Sequence, residues 1–218
     1  YYGHGMILIT YIDDTLFFGP DLKAIKGVIT KLKGLRYGLT RKEGDETTAF
    51  ALLGVSILPD PVTKMLKLTQ KGLILKVLAA TGMSDCNSRG SPALSTPLGT
   101  DADGPRRKDD WHYASAIGAM LMYLSSNAHP EIQFAVHQCA RFTHCPRASH
   151  EEAVKHICRY LQGVKDNGLM FKPSHDLELD CYVDADFAGL WNYKSDQDPV
   201  CVKSHTGYVM TLGGCPIQ

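Results

Sequence analysis

Two adjacent carboxylates stand in an otherwise apolar segment near the start of the chain. Asp13 and Asp14 interrupt the segment from Met6 to Phe18, whose other residues are almost all apolar or β-branched. Neighbouring carboxylates beside buried strands repel each other, so a bound cation favours the arrangement. Magnesium prefers such oxygen ligands, and paired metal ions can stabilise the entering and leaving oxygens of phosphoryl transfer. The pattern indicates a metal-dependent phosphotransfer site; the alternative is an ordinary turn, where Asp is common.

A second pair of acids, Asp184 and Asp186, follows a strand-like segment over residues 177–184. Two residues apart on a strand, the two side chains point to the same face. Residues 207–212 can return antiparallel beside this strand and fix its end on a sheet. From the residues alone, a metal ligand and a solvated strand end are equally supported.

The composition limits the number of domains and the kinds of partner that the chain can have. The chain has 218 residues, of which 44% are hydrophobic, so it can bury a sizeable core as one large domain or two smaller ones. Its 23 basic and 23 acidic residues cancel, and overall charge therefore points to no particular partner. Basic residues are concentrated in 21–42 and 61–89 and acidic residues in 174–218. Such basic segments permit a phosphate-backbone partner, although solvated helix faces are the commoner explanation.

Cysteine usage predicts an intracellular protein, and hydropathy predicts no membrane-spanning helix. The seven cysteines are odd in number and lack the two-residue spacing of zinc or redox motifs, which indicates reduced thiols. A cluster of His and Cys residues does not follow a zinc-ligand spacing either; it contains His144, Cys145, His150, His156 and Cys158. No apolar run approaches the roughly 20 residues of a membrane span, and no signal peptide is evident. The chain starts without Met and stops after a strand-like run, which we interpret as a fragment.

The apolar periodicity predicts an α+β order of elements. A hairpin over residues 6–19 leads into an amphipathic helix from Asp21 to about Gly34, on which the first strand is expected to pack. A second hairpin over 50–69 precedes a helix that Thr69 should cap and Gly82 should close. Residues 84–110 predict a long loop.

Three further helices and a β region follow. The first carries an apolar stripe from Tyr113 to Leu124, and the second begins at Pro130. The third has a capping-box spacing between Ser149 and Glu152 and ends at Gly163. The remaining strand-like segments are 168–171, 177–184 and 206–212.

These motifs resemble a known family in order and across essentially the whole chain. The segment "YIDDTLFFG" (11–19) is similar to the active-site hairpin of reverse transcriptases, and the later segments resemble the copia-type retrotransposon polyprotein. They are "LLGVSI" (52–57), "LTQKGLILKVLAATGM" (68–83), "STPL" (95–98), residues 113–163, "YVDADFAG" (182–189) and "SHTGYVMTLGG" (204–214).

The resemblance implies an RNA-directed DNA polymerase with ribonuclease H from a transposable element, present here in part. Residues 1–66 would be the C-terminal part of the polymerase palm, 67–173 thumb and connection helices, and 174–218 the beginning of a truncated ribonuclease H-like sheet. Asp13 and Asp14 would be catalytic metal ligands of this nucleotidyltransferase, and Asp184 the first metal ligand of the ribonuclease H domain.

The resemblance further implies Mg²⁺, with Mn²⁺ as an alternative, and an RNA template, DNA primer, RNA–DNA hybrid and deoxynucleotides as partners besides the remainder of the polyprotein. It implies a cytoplasmic virus-like particle or the nucleus as location. The family's third polymerase aspartate lies upstream and the other ribonuclease H acids lie downstream. At "NAHPEI", His129 and Glu131 replace the family's usual Arg and Asp.

Two rival interpretations stay open. One is a host-adopted derivative that binds nucleic acid without catalysis. The other is an unrelated magnesium-dependent phosphotransferase, which the lack of a Gly-rich phosphate loop disfavours.

Overall fold

The protein combines helices and antiparallel sheets. The computed structural model describes residues 2–3, 5–12, 14–35, 50–52, 54–60, 62–172, 174, 176, 178–189, 191 and 203–217. Strands β1 (Tyr2–Gly3), β2 (Met6–Tyr11) and β3 (Asp14–Phe18) form one antiparallel sheet and precede helix α1 (Leu22–Gly34).

The predicted first hairpin and its following helix are confirmed. Strands β2 and β3 pair from Ile7–Phe18 to Tyr11–Asp14, and the Asp21 carboxylate caps α1 by accepting the N–H groups of Lys23 and Ala24. The predicted packing of β2 on α1 is wrong in extent: these two elements share little contact, and Ile7 and Tyr11 are half exposed. The β-rich sequence was therefore sufficient to predict strand β2, whereas the apolar stripe of α1 was not sufficient to predict which element packs on it.

A second sheet joins distant parts of the chain. It has the order β4 (Phe50–Leu52), β5 (Val55–Asp60), β6 (Met65–Thr69) and β7 (Leu169–Phe171), with every pair antiparallel. The predicted second hairpin is therefore confirmed, and the predicted boundary between residues 66 and 67 falls inside β6. Gly168 lies so close to the backbone of Leu68 that a Cβ atom there would collide with it.

Four helical elements enclose the core. They are α2 (Lys71–Ala80), α3 (Tyr113–Gly118) with a π-helical continuation (Ala119–Ser125), α4 (Gln133–Ala140) after a 3₁₀ turn (Pro130–Ile132), and α5 (Ala148–Val164). The predicted apolar faces are confirmed by their burial, which includes Ile74, Leu78, Met120, Leu124, Val136, Val154, Ile157 and Leu161. The buried Tyr113 hydroxyl donates to the Cys139 carbonyl at 2.9 Å and ties α3 to α4.

The helix ends correct two predictions and confirm one. Thr69 is a buried strand residue, and Gln70 stands at the N-cap of α2 without a side-chain cap hydrogen bond. Helix α5 begins at Ala148, so Ser149 lies inside the helix and the predicted capping box is wrong. At this helix start the His150 ring accepts the Arg147 N–H instead. Gly82 does close α2: at φ +68° it donates to Ala79, while Met83 donates to Leu78.

The predicted long loop before α3 is anchored to α5 by a buried carboxylate. Glu151 is 3% exposed and accepts hydrogen bonds from Arg107 Nε at 3.2 Å, from the Asp109 N–H at 3.3 Å and from Lys155 Nζ at 2.9 Å. The Arg107 guanidinium also lies 4.3 Å from the Trp111 ring centroid. Burial alone would raise the pKa of Glu151, but the hydrogen bonds from Lys155 and from the Asp109 N–H outweigh burial and hold the pKa below its ordinary value.

A third antiparallel sheet ends the described chain, in the order β10 (Cys215–Pro216), β9 (Thr206–Leu212) and β8 (Leu179–Ala185). The predicted pairing of the last two long strands is confirmed, from Leu179–Leu212 to Ala185–Thr206. This sheet meets the helical core where the rings of His205 and His137 approach edge to face at 6.1 Å. No helix among the described residues is long and apolar enough to cross a membrane.

His150 should make folding sensitive to acid. The ring is fully buried, its Nε2 donates to the Gly99 carbonyl at 2.8 Å, and burial lowers its pKa below 6.5. As pH falls below about 6.5, the unfolded chain binds a proton that the folded chain does not, so stability should fall by up to about 1.4 kcal/mol per pH unit. Urea unfolding at pH 7.5 and 5.5 measures this loss. His150→Gln should reduce it, whereas His144→Gln, which alters an exposed histidine, should not.

Candidate functional site

A strained backbone position stands at the tip of the first hairpin. Tyr11 pairs with Asp14, and Ile12 directly follows β2 in a turn. Ile12 has φ +53° and is 89% exposed. Two-residue hairpin turns favour positive φ at their first position, but a β-branched residue adopts it at a cost. Strain of this kind is common at functional sites.

Only part of the predicted pair of polymerase ligands lies among the described residues. Asp14 is the first residue of β3, directly across from Tyr11. Asp13 and the side chain of Asp14 lie outside the described residues. Their geometry as ligands therefore stays a prediction.

Asp184 lies next to the last residue of β8 with open space across from it. Its partner in the register is Gly207, where even an added Cβ would meet nothing within 4 Å. The Asp184 side chain is exposed, and no hydrogen bond or ion pair joins it to another described residue. A carboxylate of this kind is free to bind a cation or a solvated ligand.

Asp186, by contrast, is committed to holding the strand end. Its carboxylate accepts the His205 N–H at 2.6 Å and approaches the Nδ1 of the same residue at 3.3 Å. Its own N–H donates to the His205 carbonyl at 3.0 Å. The hydrogen bond from the His205 N–H is the main reason that the pKa of Asp186 is lowered.

The described residues bring no complete metal site together. No three His, Cys, Asp or Glu side chains among them could hold a metal ion. Asp184 nevertheless fits a partial site, since magnesium commonly takes one or two protein carboxylates and completes its shell with water and phosphate oxygens.

The two departures from the family pattern contact each other. His129 Nδ1 lies 2.8 Å from Glu131 Oε1, and the Tyr160 hydroxyl donates to the same oxygen at 3.4 Å. Burial would raise the pKa of Glu131, but its hydrogen bonds outweigh burial and lower it. Sequence reasoning identified both residues and missed their contact, although a spacing of two residues across Pro130 made it accessible.

The predicted basic surfaces are confirmed in position. Lys23, Lys26, Lys31 and Lys33 are exposed on α1. Lys67 is the third residue of β6, Lys71 the first of α2, and Lys76 is exposed on α2. Lys67 and Lys71 also contact Asp166, almost 100 residues later, and no sequence pattern predicts these contacts.

Comparison with known proteins agrees with the resemblance. The chain is 31% identical over 211 residues to the retrovirus-related Pol polyprotein from transposon RE2 of Arabidopsis thaliana, which covers 97% of this chain and 13% of that protein. It is 34% identical over 222 residues to the corresponding polyprotein from transposon TNT 1-94 of Nicotiana tabacum, covering 98% and 15%. This chain is homologous to one segment of retrotransposon Pol polyproteins.

A third relative is much shorter than the polyproteins. An uncharacterized mitochondrial protein of Arabidopsis thaliana is 26% identical over 208 residues, which cover 95% of this chain and 79% of that protein. No protein-family model and no solved structure matches the chain.

The different roles of the two strand-end acids can be measured directly. Asp186→Ala removes the acceptor of the His205 N–H, so amide hydrogen exchange at His205 should become faster. Asp184→Ala removes an equal charge two residues away and should leave that exchange unchanged. Equal exchange in both variants would contradict the assignment of Asp186 as the structural acid.

Proposed function

We propose that this chain is the part of a copia-type reverse transcriptase that connects the polymerase palm to the beginning of its ribonuclease H domain. The observation that carries the proposal is the Tyr-x-Asp-Asp sequence at a two-residue hairpin turn, within a chain homologous to Pol polyproteins over nearly its whole length. Either feature alone would be weak, because short motifs recur by chance.

In the polymerase part, Asp13 and Asp14 would hold Mg²⁺, with Mn²⁺ as the alternative. Bound at these carboxylates, the metal would stabilise negative charge on the oxygens that enter and leave during nucleotidyl transfer. The paired strands β2 and β3 fix the backbone on both sides of the acids. Tyr11, 53% exposed, stands directly across from Asp14.

In the ribonuclease H part, Asp184 would be the first metal ligand and Asp186 would position it. The free carboxylate of Asp184, the empty space at Gly207 and the commitment of Asp186 to His205 support this division of roles. Carboxylates supplied from elsewhere in the polyprotein would complete the site.

The partners follow from this assignment. An RNA template, a DNA primer, their hybrid and deoxynucleotides would be bound together with the remainder of the polyprotein, in a cytoplasmic particle or in the nucleus. The chain spans only 13–15% of the matched polyproteins, which supports its dependence on other segments.

A second candidate function is a non-catalytic, host-adopted nucleic-acid-binding protein. The mitochondrial relative favours it, because this chain covers 79% of that protein and a similar segment therefore occurs in a chain of comparable size. Both candidates predict hybrid binding, so primer extension by the chain joined to its upstream palm and fingers separates them.

Residues 1–218 alone should not extend a primer. The resemblance places the third metal-binding aspartate and the fingers upstream, and misplacement of reacting groups alone can cost about 10²-fold in rate. Extension of a labelled DNA primer on an RNA template by the purified chain should match that of an Asp13→Asn control. Joined to the upstream palm and fingers, the chain should extend the primer, and Asp13→Asn should abolish this activity.

A longer chain that includes the downstream acids should cut the RNA strand of a hybrid. Asp184→Asn should abolish cleavage with unchanged circular dichroism, because it removes a metal ligand without removing a structural hydrogen bond. Asp186→Asn should retain part of the activity. Full cleavage by Asp184→Asn together with none by Asp186→Asn would show that the ligand assignment is wrong by two residues.

A further inference from the structure

Two lysine ammonium groups converge on one acidic residue at the surface. Lys67 Nζ donates to the backbone carbonyl of Asp166 at 2.6 Å, and Lys71 Nζ lies 2.6 Å from the Asp166 carboxylate. The side chains of Lys71 and Asp166 are 51% and 66% exposed. The contact therefore brings together β6, the start of α2 and the residues after α5 where solvent reaches it.

The surroundings of this contact are rich in positive charge. Lys165 precedes Asp166 and adds to the attraction that lowers the pKa of Asp166, after the leading contribution of Lys71. Lys172 follows β7, which pairs with β6, and it is exposed. Helix α2 begins at Lys71, so the positive end of its dipole lies beside this contact, and its first turn carries no acidic residue. Three lysines thus act on one carboxylate, and Lys172 adds a further positive charge on the neighbouring strand.

The contact adds little to folding stability, because exposed ion pairs are screened and cost side-chain entropy. Its geometry instead matches what an oxyanion ligand needs, namely two charged donors already directed at one point. A phosphate group carries more oxygens than a carboxylate and forms stronger charge-assisted hydrogen bonds. A polyanion that binds several lysines at once can therefore displace a single weak internal partner.

We propose that Lys67, Lys71, Lys165 and Lys172 form a docking surface for the phosphate backbone of a nucleic-acid duplex, and that Asp166 occupies this surface until the backbone displaces it. The surface rests on the proposed function for the identity of its partner. Its lysines come from segments about 100 residues apart, which the pairing of β6 with β7 and the packing of α2 on α5 bring together.

Two charge-matched variants test the role of Asp166. Asp166→Asn and Glu152→Gln each remove one exposed negative charge at or just beyond the same helix, but among the described residues Glu152 forms an ion pair with Lys155 alone, at 3.4 Å. Binding of residues 1–218 to a labelled 20-base-pair RNA–DNA hybrid is measured by fluorescence anisotropy over a NaCl series. Asp166→Asn should bind up to about fivefold more tightly than wild type at low salt, the factor that corresponds to a strong exposed ion pair. Glu152→Gln should change affinity much less.

Lysine variants test the surface itself. Lys67→Gln and Lys71→Gln should each weaken binding and reduce the slope of log K against log salt by about 0.9, the value for one phosphate contact on duplex DNA. Lys203→Gln, an equal change of charge on the acidic terminal segment, should do neither. Lys71→Arg should keep the affinity, and thermal unfolding of each variant verifies its fold.

Three results would overturn the proposal. Equal effects of Asp166→Asn and Glu152→Gln would show that Asp166 acts only through net charge. Unchanged binding by both Lys→Gln variants would show that the duplex binds elsewhere. Equally tight, equally responsive binding of polyglutamate would identify an acidic protein as the partner. Failure of primer extension in the longer chain would refute the polymerase assignment and leave these binding results standing.

Discussion

The buried carboxylate of Glu151 determines how the helical core is assembled. A charge that is 3% exposed must be neutralised by partners, and Arg107 and Lys155 provide the opposite charges while the Asp109 N–H provides a third donor. Removing one partner of such a group typically costs about 3–5 kcal/mol, because the remaining charge is left buried. The long segment before α3 therefore has one favourable course across the N-terminal turns of α5. Trp111 and Tyr113 stack at 5.7 Å directly after this anchor, which sets the start of α3.

The candidate sites lie outside this core, on sheets with exposed apolar faces. Ile7 and Ile9 on β2 are about half exposed, and Leu179 and Val183 on β8 are more so. A two- or three-stranded sheet needs a further layer to bury such faces. The exposure fits a segment whose homologues are embedded in much longer polyproteins, where other parts of the chain can supply that layer. The described helical core, by comparison, buries its own apolar side chains against one another, and it gives the lysine surface around Asp166 a fixed geometry.

Local patterns were sufficient where neighbouring residues decide the structure. The hairpin at residues 6–18, the apolar faces of the four core helices and the antiparallel end of the chain could all be predicted from periodicity and turn residues. The i, i+4 spacing of Glu151 and Lys155 was equally visible, but Arg107 lies 44 residues before Glu151, and no spacing rule joins them. For the same reason Ser149 could not be recognised as a residue inside the helix: its hydroxyl donates to Asp101, 48 residues away. The residues alone also left open whether Asp184 and Asp186 bind a metal or merely solvate a strand end, and only the structure shows that His205 engages Asp186.

The contact between His129 and Glu131 bears on whether this copy has decayed. Loss of selection would remove the two members of such a pair independently, and the His129 ring, which is 1% exposed, would then lose this partner at a cost of about 1–3 kcal/mol. Here both positions depart from the family pattern, and the two new side chains meet at 2.8 Å beside a helix start that Pro130 preserves. Glu131 is 40% exposed, whereas Glu151, the buried carboxylate of the described core, is held by three donors. Changes that retain their partners are those expected of a chain that still has to fold, so the departures at "NAHPEI" weigh less against function than either substitution would by itself.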